Sequence, residues 1–478
     1  MPDIPSYLKS GEIARLIPVI ADNRKEQRVA SVFLAALSAI PDLAEKLLDS
    51  IGQRVGKRTA INSYTEVVFD DPQQDLRDRP DGLLIVDRGR SSWAALIEAK
   101  IGNNAISSEQ VDRYAQLARN NSVDAVITIS NEFAVRPDHC PVELSKPLQR
   151  KIKLFHWSWK FILTEALLLQ SRAAIKDPDQ AFLLRELIRF LSHDSIGVTG
   201  FTQMPPEWKD LTTQVQSGAA PRRNSPEAMA VVKAWHQEVR DLALRISHDL
   251  SVNVDVKLAR SHVANADQHL RDGCAQLEDG QLLAAALEVP DAASDIAITA
   301  DLKARSIRVG MQIAAPQDRQ RTSARINWLL RQLKNATSEN LFVRIIWPRR
   351  TQDTICSLEA LRNDIRRVEL ENAQPPRAFE VFLVTTDSRR FTGRKTFVEE
   401  LETAVPVFYE QVGQHLQTWR PKPPKPSKAP EETDIPPHED SEGAAPKSIT
   451  PEVMVPHAAV AGNSHTALLE IPSFLKRA

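Results

Sequence analysis

The segment Leu96–Ile101, with the sequence Leu-Ile-Glu-Ala-Lys-Ile, places an acid and a base inside an otherwise apolar run. Such a run is typical of a buried strand, where a charge is costly unless it is paired or binds a ligand. Side chains alternate between the two faces of a strand, so Glu98 and Lys100 are expected on one face. The segment therefore predicts a strand that carries a functional site.

The elements around this segment predict an α/β domain over residues 12–200. Short apolar runs bounded by turn residues indicate strands, apolar residues at intervals of three and four indicate helices, and Ser107 is a suitable N-cap. The predicted order begins α-β-β-β-α-β. In chain order the elements are a helix at 23–39, strands at 63–69, 82–87 and 92–100, a helix at 107–119, strands at 125–130 and 153–156, and helices at 157–171 and 180–192.

The strands at 82–87 and 92–100 are expected to form a hairpin that turns at Arg88 to Ser91. Two acids and a lysine near this hairpin suggest phosphodiester hydrolysis, which needs charge neutralisation and an activated water, and Mg²⁺ held by carboxylates supplies both. Asp81 directly precedes the strand next to Glu98, so the two acids are expected to share one metal ion with the backbone carbonyl of Ala99. Lys100 would then orient or deprotonate the attacking water. Glu66, in the preceding strand, is a further candidate ligand.

This spacing, Pro80-Asp81 followed after sixteen residues by Glu98-Ala99-Lys100, resembles the PD-(D/E)xK nuclease superfamily. The resemblance covers about residues 23–130. It implies a restriction-endonuclease-like αβββαβ core with a central mixed sheet, in which an upstream glutamate often joins the metal site. Glu26 is the matching residue, and the implied cofactor is Mg²⁺ or Mn²⁺.

Gln110 and Tyr114 resemble the QxxxY element of the exonuclease-like branch of that superfamily. In that branch the glutamine and tyrosine, four residues apart on one helical face, border the active site and contact DNA. The resemblance therefore implies a metal-dependent nuclease, with DNA favoured over RNA as substrate. Restriction, phage defence and repair are the settings in which such domains often serve, and many of these endonucleases act as dimers.

Each motif also has an ordinary structural explanation. A Pro-Asp dipeptide usually forms a turn, and a charged pair at a strand end usually protects a solvent-exposed edge. The alternative function is a catalytically silent nuclease-like fold that acts as a binding or regulatory module and recruits a protein partner. Retention of Asp81, Glu98 and Lys100 together argues against this alternative, since a silent site is expected to lose at least one of them.

The rest of the chain predicts a linker at 201–225, a separate α+β accessory domain at 226–420 and a disordered tail at 421–478, where 11 of 58 residues are proline. Near the end of the tail, Ile471–Lys476 almost repeats Ile4–Lys9. Short apolar motifs on tethers commonly bind partners, and this one resembles the C-terminal peptide of the bacterial tubulin-like cell-division protein. Chance agreement or local packing of each copy is the competing explanation.

Composition excludes several other classes of protein. The formal net charge of −1 offers no overall attraction to nucleic acid, so a basic surface would have to be local. The three cysteines lack metal-ligand spacing, which favours a reducing, cytoplasmic setting, and no segment is long and apolar enough for a membrane span. No glycine-rich phosphate loop occurs, which argues against nucleotide hydrolysis by this chain itself.

Overall fold

A computed structural model of the protein describes residues 5–18, 24–70, 79–337, 339–368 and 374–420. The described residues belong to one compact unit. The described residues of that unit include two β-sheets, one mixed and one antiparallel, with helices packed on them. The predicted tail at 421–478 lies outside the described residues.

The mixed sheet has six strands in sequential order, from β1 to β6. The elements of this part are β1 (Leu8–Ile13), α1 (Lys25–Ala39), α2 (Pro41–Asp49), β2 (Ala60–Phe69), β3 (Gly82–Asp87), β4 (Ser92–Ala99), α3 (Ser108–Asn120), β5 (Ala125–Ser130), α4 (Lys146–Gln149), β6 (Lys153–Ser158), α5 (Trp159–Ser171) and α6 (Pro178–Leu191). Strands β1 to β4 pair antiparallel, whereas β4, β5 and β6 pair parallel.

The local patterns of the sequence account for most of these elements. A turn in which the amide of Arg88 donates to the carbonyl of Ser91 joins β3 and β4, as the hairpin prediction requires, and Gly89 supplies the positive φ of 82° that this turn needs. All six residues of β5 are buried, which confirms a strand covered on both faces. Ser107 caps α3 by accepting a hydrogen bond from the amide of Gln110.

The antiparallel sheet has seven strands in the order β12-β11-β13-β10-β9-β8-β7. The elements of this part are α7 (Glu207–Gln216), α8 (Pro226–Leu250), β7 (Asp255–Val256), α9 (Arg260–Ala264), α10 (Ala266–Gly280), β8 (Leu282–Glu288), β9 (Ile296–Asp301), β10 (Ser306–Ala314), α11 (Thr322–Gln332), β11 (Leu341–Ile346), β12 (Thr354–Ser357), α12 (Leu358–Asn363), β13 (Ala378–Thr385), α13 (Ser388–Thr392) and α14 (Arg394–Gln411). This sheet has its own hydrophobic core, and the mixed sheet has one on each face.

The segment predicted as a linker differs from that prediction, because α7 lies within it. Trp208 on α7 is fully buried and packs against Phe391 and Phe397, at ring-centroid distances of 5.5 and 4.4 Å. The indole nitrogen of Trp208 also donates to the carbonyl of Phe391. These partners lie far away in the sequence, so local composition alone predicted a loop for this segment. In the structure it belongs to the hydrophobic core of the antiparallel sheet.

The N-terminal copy of the repeated peptide is partly described, from Pro5 onward, and it contributes to the mixed sheet. Leu8 is 8% exposed and opens β1, which pairs with β2. Tyr7 stacks on Phe69, with 6.3 Å between ring centroids and 14° between ring planes. This copy therefore packs on its own sheet in the structure. The C-terminal copy, Ile471–Lys476, lies outside the described residues.

Candidate functional site

The hairpin of β3 and β4 brings the two predicted acids together. Its register pairs Gly82 with Ile97, so Asp81, one residue earlier, lies beside Glu98. The carboxylate of Asp81 accepts a hydrogen bond from the backbone amide of Ala99, with 2.8 Å between Oδ2 and N. Strand pairing, rather than proximity in sequence, is what positions Asp81.

Glu98 is the most enclosed member of the site, with 1% of the residue exposed. Its Oε1 atom lies 2.5 Å from Lys100 Nζ, and the same oxygen accepts a hydrogen bond of 2.7 Å from Gln110 Nε2. Glu98 and Lys100 therefore share one face of β4, as predicted. A buried carboxylate needs partners of this kind, because desolvation without them is costly.

Helix α1 adds the upstream glutamate. Glu26 lies in the first turn of α1, and its Oε2 atom is 3.6 Å from Lys100 Nζ. Its other oxygen accepts hydrogen bonds from Asn104 Nδ2 at 2.7 Å and from the amide of Ile101 at 3.4 Å. Glu26 is thus tied to the segment that directly follows Lys100.

Tyr114 lies one helical turn beyond Gln110 on α3. Its hydroxyl donates to the carbonyl of Arg79 at 3.0 Å and lies 3.1 Å from Gln110 Nε2. Tyr114 is only 3% exposed. Its hydrogen bond to the carbonyl of Arg79 holds the backbone two residues before Asp81. The predicted contact of this pair with DNA stays a prediction.

The buried charged groups of the site shift one another's pKa values. Burial and the negative charge of Glu98 raise the pKa of Asp81 well above its ordinary value, and the Ala99 hydrogen bond and Lys100 only partly offset this. Burial also raises the pKa of Glu98, against the opposing charge and hydrogen bond of Lys100. Burial lowers the pKa of Lys100, but Glu98, Asp81 and Glu26 outweigh it, so the pKa is raised overall. Two crowded carboxylates of this kind favour a bound cation.

All these side chains line one cleft with a volume of about 910 Å³. Another part of the cleft wall is formed by residues 194–197, which the sequence did not mark as functional. Asn131 connects that wall to the site, because its Nδ2 atom donates to the carbonyls of Gly102 and Gly197 at 3.0 and 2.7 Å. Arg24, Lys25 and Arg79 also line the cleft, alongside its acidic residues.

The donor set matches the chemistry of a hard divalent cation, since Asp81, Glu98 and Glu26 offer carboxylate oxygens. Among the described residues, no three His, Cys, Asp or Glu side chains converge closely enough to hold a metal ion. The ammonium of Lys100 lies against Glu98 and near Glu26, where it partly neutralises them. Ala99 is fixed through its amide, and its carbonyl as a ligand stays a prediction. Glu66, with φ of 55°, is not among the residues lining this cleft.

No protein-family model and no curated protein sequence matches this chain. The proposals below therefore depend on the residues and their geometry. Within the described ranges, no helix is both long and apolar enough to cross a membrane.

Proposed function

We propose that the cleft is the active site of a metal-dependent nuclease with a restriction-endonuclease-like core, and that it hydrolyses phosphodiester bonds in DNA. One observation carries the proposal. Asp81 directly before β3, Glu98 and Lys100 at the end of β4, and Gln110 and Tyr114 on α3 meet in one cleft. Lys100 and Gln110 bond Glu98, Gln110 bonds Tyr114, and Asp81 is held beside them by the amide of Ala99. Chance motif matches would not be expected to converge in this way.

Asp81, Glu98 and Glu26 would hold the metal ion, with the Ala99 carbonyl as a further ligand. A bound Mg²⁺ or Mn²⁺ supplies charge neutralisation at the phosphate and a water of lowered pKa. Lys100 orients the attacking water and stabilises the negative charge that develops on the phosphate. Because the pKa of Lys100 is raised while it contacts Glu98, it acts as a proton donor or electrostatic group rather than as a base in that state.

The aromatic and amide side chains on α3 have a supporting role. Gln110 holds Glu98 in place, and Tyr114 holds the Arg79 carbonyl next to the segment that leads to Asp81. The carboxylates then keep their spacing when substrate enters, which is the preorganisation that a phosphoryl-transfer site requires. Arg24, Lys25 and Arg79 are suited to bind the phosphates that flank the scissile bond.

The test is cleavage of linear duplex, circular duplex and single-stranded DNA with Mg²⁺ or Mn²⁺. Lys100→Ala and Asp81→Ala are expected to abolish cleavage, whereas the exposed control substitutions Lys57→Ala and Asp210→Ala are expected to leave it unchanged. Cutting of linear but not circular DNA would identify an exonuclease. Absence of cleavage on every substrate, with no Asp81-dependent metal binding in calorimetry, would refute the proposal and favour a partner-recruiting module.

A further inference from the structure

A second cavity, with a volume of about 380 Å³, lies between helices α8, α9 and α10 and strand β8. It shares no lining residue with the cleft that holds Glu98. Much of its wall is apolar and includes Val232, Trp235, Val239 and Leu283. Its size and its mixture of apolar wall with a few polar groups are those of a small-molecule site.

Three imidazole rings lie next to one another along this cavity. The rings of His236 and His269 are parallel within 5°, and their centroids are 3.7 Å apart. The ring of His262 continues the series, 4.7 Å from that of His269 and inclined by 30°. Three helices thus contribute one ring each, so the stack is formed by tertiary packing and not by a local sequence pattern.

The stack can exist only if the rings are mostly uncharged. Burial, with the nearby imidazoles of His269, His262 and His139, lowers the pKa of His236 to about 3. Burial and the same kind of neighbours lower the pKa of His269 to about 4, although Asp272 opposes this. Both rings are therefore neutral near pH 7, and each then offers one N–H donor and one nitrogen acceptor.

The three rings differ in whether their nitrogens have hydrogen-bond partners. His262 Nε2 is held by Asp272 Oδ2 at 2.8 Å, which fixes its tautomer and orientation. In contrast, the ring nitrogens of His236 and His269 make no hydrogen bond to any residue in the described part of the chain. A ligand that supplies hydrogen-bond partners to these half-buried nitrogens gains affinity from the added bonds.

A metal ion is the less suitable occupant. Nitrogen lone pairs lie in the plane of an imidazole ring, so two parallel stacked rings direct them along parallel planes and not to a common point. This agrees with the finding that no three potential ligands converge within the described ranges. Flat rings with free polar edges are better suited to an aromatic ligand that stacks and forms hydrogen bonds at its own edge.

We propose that this cavity binds a nucleobase, carried by a free nucleoside or nucleotide. A nucleobase offers a π face for the histidine stack and edge donors and acceptors for the unpartnered ring nitrogens. Gly273 lets α10 approach α8 closely beside the cavity, because a Cβ there would lie 2.7 Å from Val232 Cγ1 and 3.5 Å from His236 Nε2. Lys257 also lines the cavity, and a 5′-phosphate that contacts it would compete with its ion pair to Asp295.

The test is calorimetric titration of the full chain, in chelator, with the common nucleosides and their 5′-monophosphates. We expect saturable one-to-one binding, with His269→Ala weakening it at least tenfold, and His269→Phe, which retains a stacking ring, weakening it less. His248→Phe, an exposed histidine on α8 outside the cavity, is the control and should bind as the wild type does. Thermal denaturation of each variant excludes unfolding as the cause, and nucleoside-dependent stabilisation of the wild-type chain is a second measurement.

Each other outcome is decisive. Tighter binding of the monophosphate than of the nucleoside identifies a nucleotide, and equal binding identifies the base and sugar as sufficient. No binding by the wild-type chain at millimolar ligand, or equal binding by a folded His269→Ala variant, would overturn the proposal, as would His269-dependent Zn²⁺ binding without nucleoside binding. Because the measurement is binding without divalent metal, it is independent of whether the other cleft cleaves DNA.

Discussion

Gln110 Nε2 donates a hydrogen bond of 2.7 Å to Glu98 Oε1, the oxygen that also contacts Lys100. The glutamine whose motif suggested DNA contact thus holds the buried carboxylate of the site. Groups that orient metal-binding carboxylates typically contribute 10- to 100-fold to affinity or activity. The α3 helix is therefore expected to support the proposed active site.

We expect Gln110→Ala to lower kcat/KM by roughly 10- to 100-fold, because Glu98 loses one of the donors that hold it, although Lys100 and Tyr114 remain. The measurement is steady-state DNA cleavage at several metal concentrations. Gln116→Ala on the same helix is the matched control, since Gln116 bonds only Asn120 among these side chains. Wild-type kinetics in a folded Gln110→Ala variant would show that the bond to Glu98 is dispensable.

Asp81 makes the metal-free protein sensitive to pH. Burial and the charge of Glu98 raise its pKa well above the ordinary value. A group with a raised folded-state pKa contributes stability below its unfolded pKa and loses that contribution as the pH rises through the folded-state pKa. The metal-free protein is therefore expected to lose stability as Asp81 becomes charged.

Asp81→Asn should remove this loss, because the amide stays neutral and its oxygen can still accept the Ala99 hydrogen bond. We expect a gain of ~0.5–2 kcal/mol in the free energy of unfolding at neutral pH, together with loss of cleavage. Denaturant unfolding over a series of pH values, with Asp210→Asn as control, measures it. A variant less stable than wild type at neutral pH would contradict the electrostatic explanation.

Lys100 competes with a cation for the same carboxylates, since its ammonium contacts Glu98 and lies 3.6 Å from Glu26. Lys100→Met removes that charge but keeps an unbranched side chain. We expect Mn²⁺ to bind this variant at least as tightly as wild type, while cleavage falls by about 100-fold or more. Titration calorimetry with Mn²⁺ is the measurement, and weaker binding in the folded variant would mean that Lys100 helps to assemble the metal site.

The sequence predicted the parts of this fold that local patterns encode. The apolar run at 125–130, for example, specifies a strand buried on both faces without reference to any other segment. Strand β1 was missed, because the polar residues Lys9 to Glu12 give no strand pattern and β1 is defined by its pairing with β2. In the candidate site, too, local features were predictable from the sequence and features that depend on distant contacts were not. Its acids and lysine were predictable from spacing, whereas the wall at 194–197 depends on a contact between residues 66 positions apart.

Gly82 sets the distance between α1 and the hairpin. A Cβ at this position would collide with Leu34 Cδ1 and lie 3.1 Å from the carbonyl of Tyr64. Gly82→Ala is expected to destabilise the protein by ~1–3 kcal/mol through overpacking and, because Asp81 is adjacent, to lower cleavage as well. Chemical denaturation and cleavage assays measure the two effects.

A second substitution tests whether contact with Leu34 causes the destabilisation by Gly82→Ala. Leu34→Val in the Gly82→Ala background frees space and should restore part of the lost stability, which a double-mutant cycle quantifies. Gly56→Ala is the matched control, since a Cβ there would meet only Thr59 Oγ1, at 3.9 Å. If Gly82→Ala and Gly56→Ala were equally stable, close packing of α1 on the hairpin would not explain the glycine.

Asn131 links two segments that line the cleft, one at Gly102 and one at Gly197. Its Nδ2 atom bonds the carbonyls of Gly102 and Gly197, its Oδ1 atom accepts from the amide of Thr199 at 3.2 Å, and the amide of Gly102 donates to the carbonyl of Gly197 at 3.2 Å. Asn131→Asp keeps the acceptor but loses both donors and places a carboxylate beside two carbonyls. Asn131→Asp is therefore expected to lower stability and cleavage at least as much as Asn131→Ala does. If Asn131 acted through Oδ1 alone, Asn131→Asp would instead behave as the wild type does.

For both Asn131 variants we expect a loss of ~1–2 kcal/mol of stability, the value of two hydrogen bonds. Hydrogen exchange at the Gly102 amide should become faster, since its acceptor on Gly197 is no longer held. Cleavage should fall mainly through kcat, because the segment after Lys100 then samples positions in which Lys100 is misaligned. Slow exchange at Gly102 in a variant with impaired cleavage would instead assign Asn131 a direct part in substrate binding.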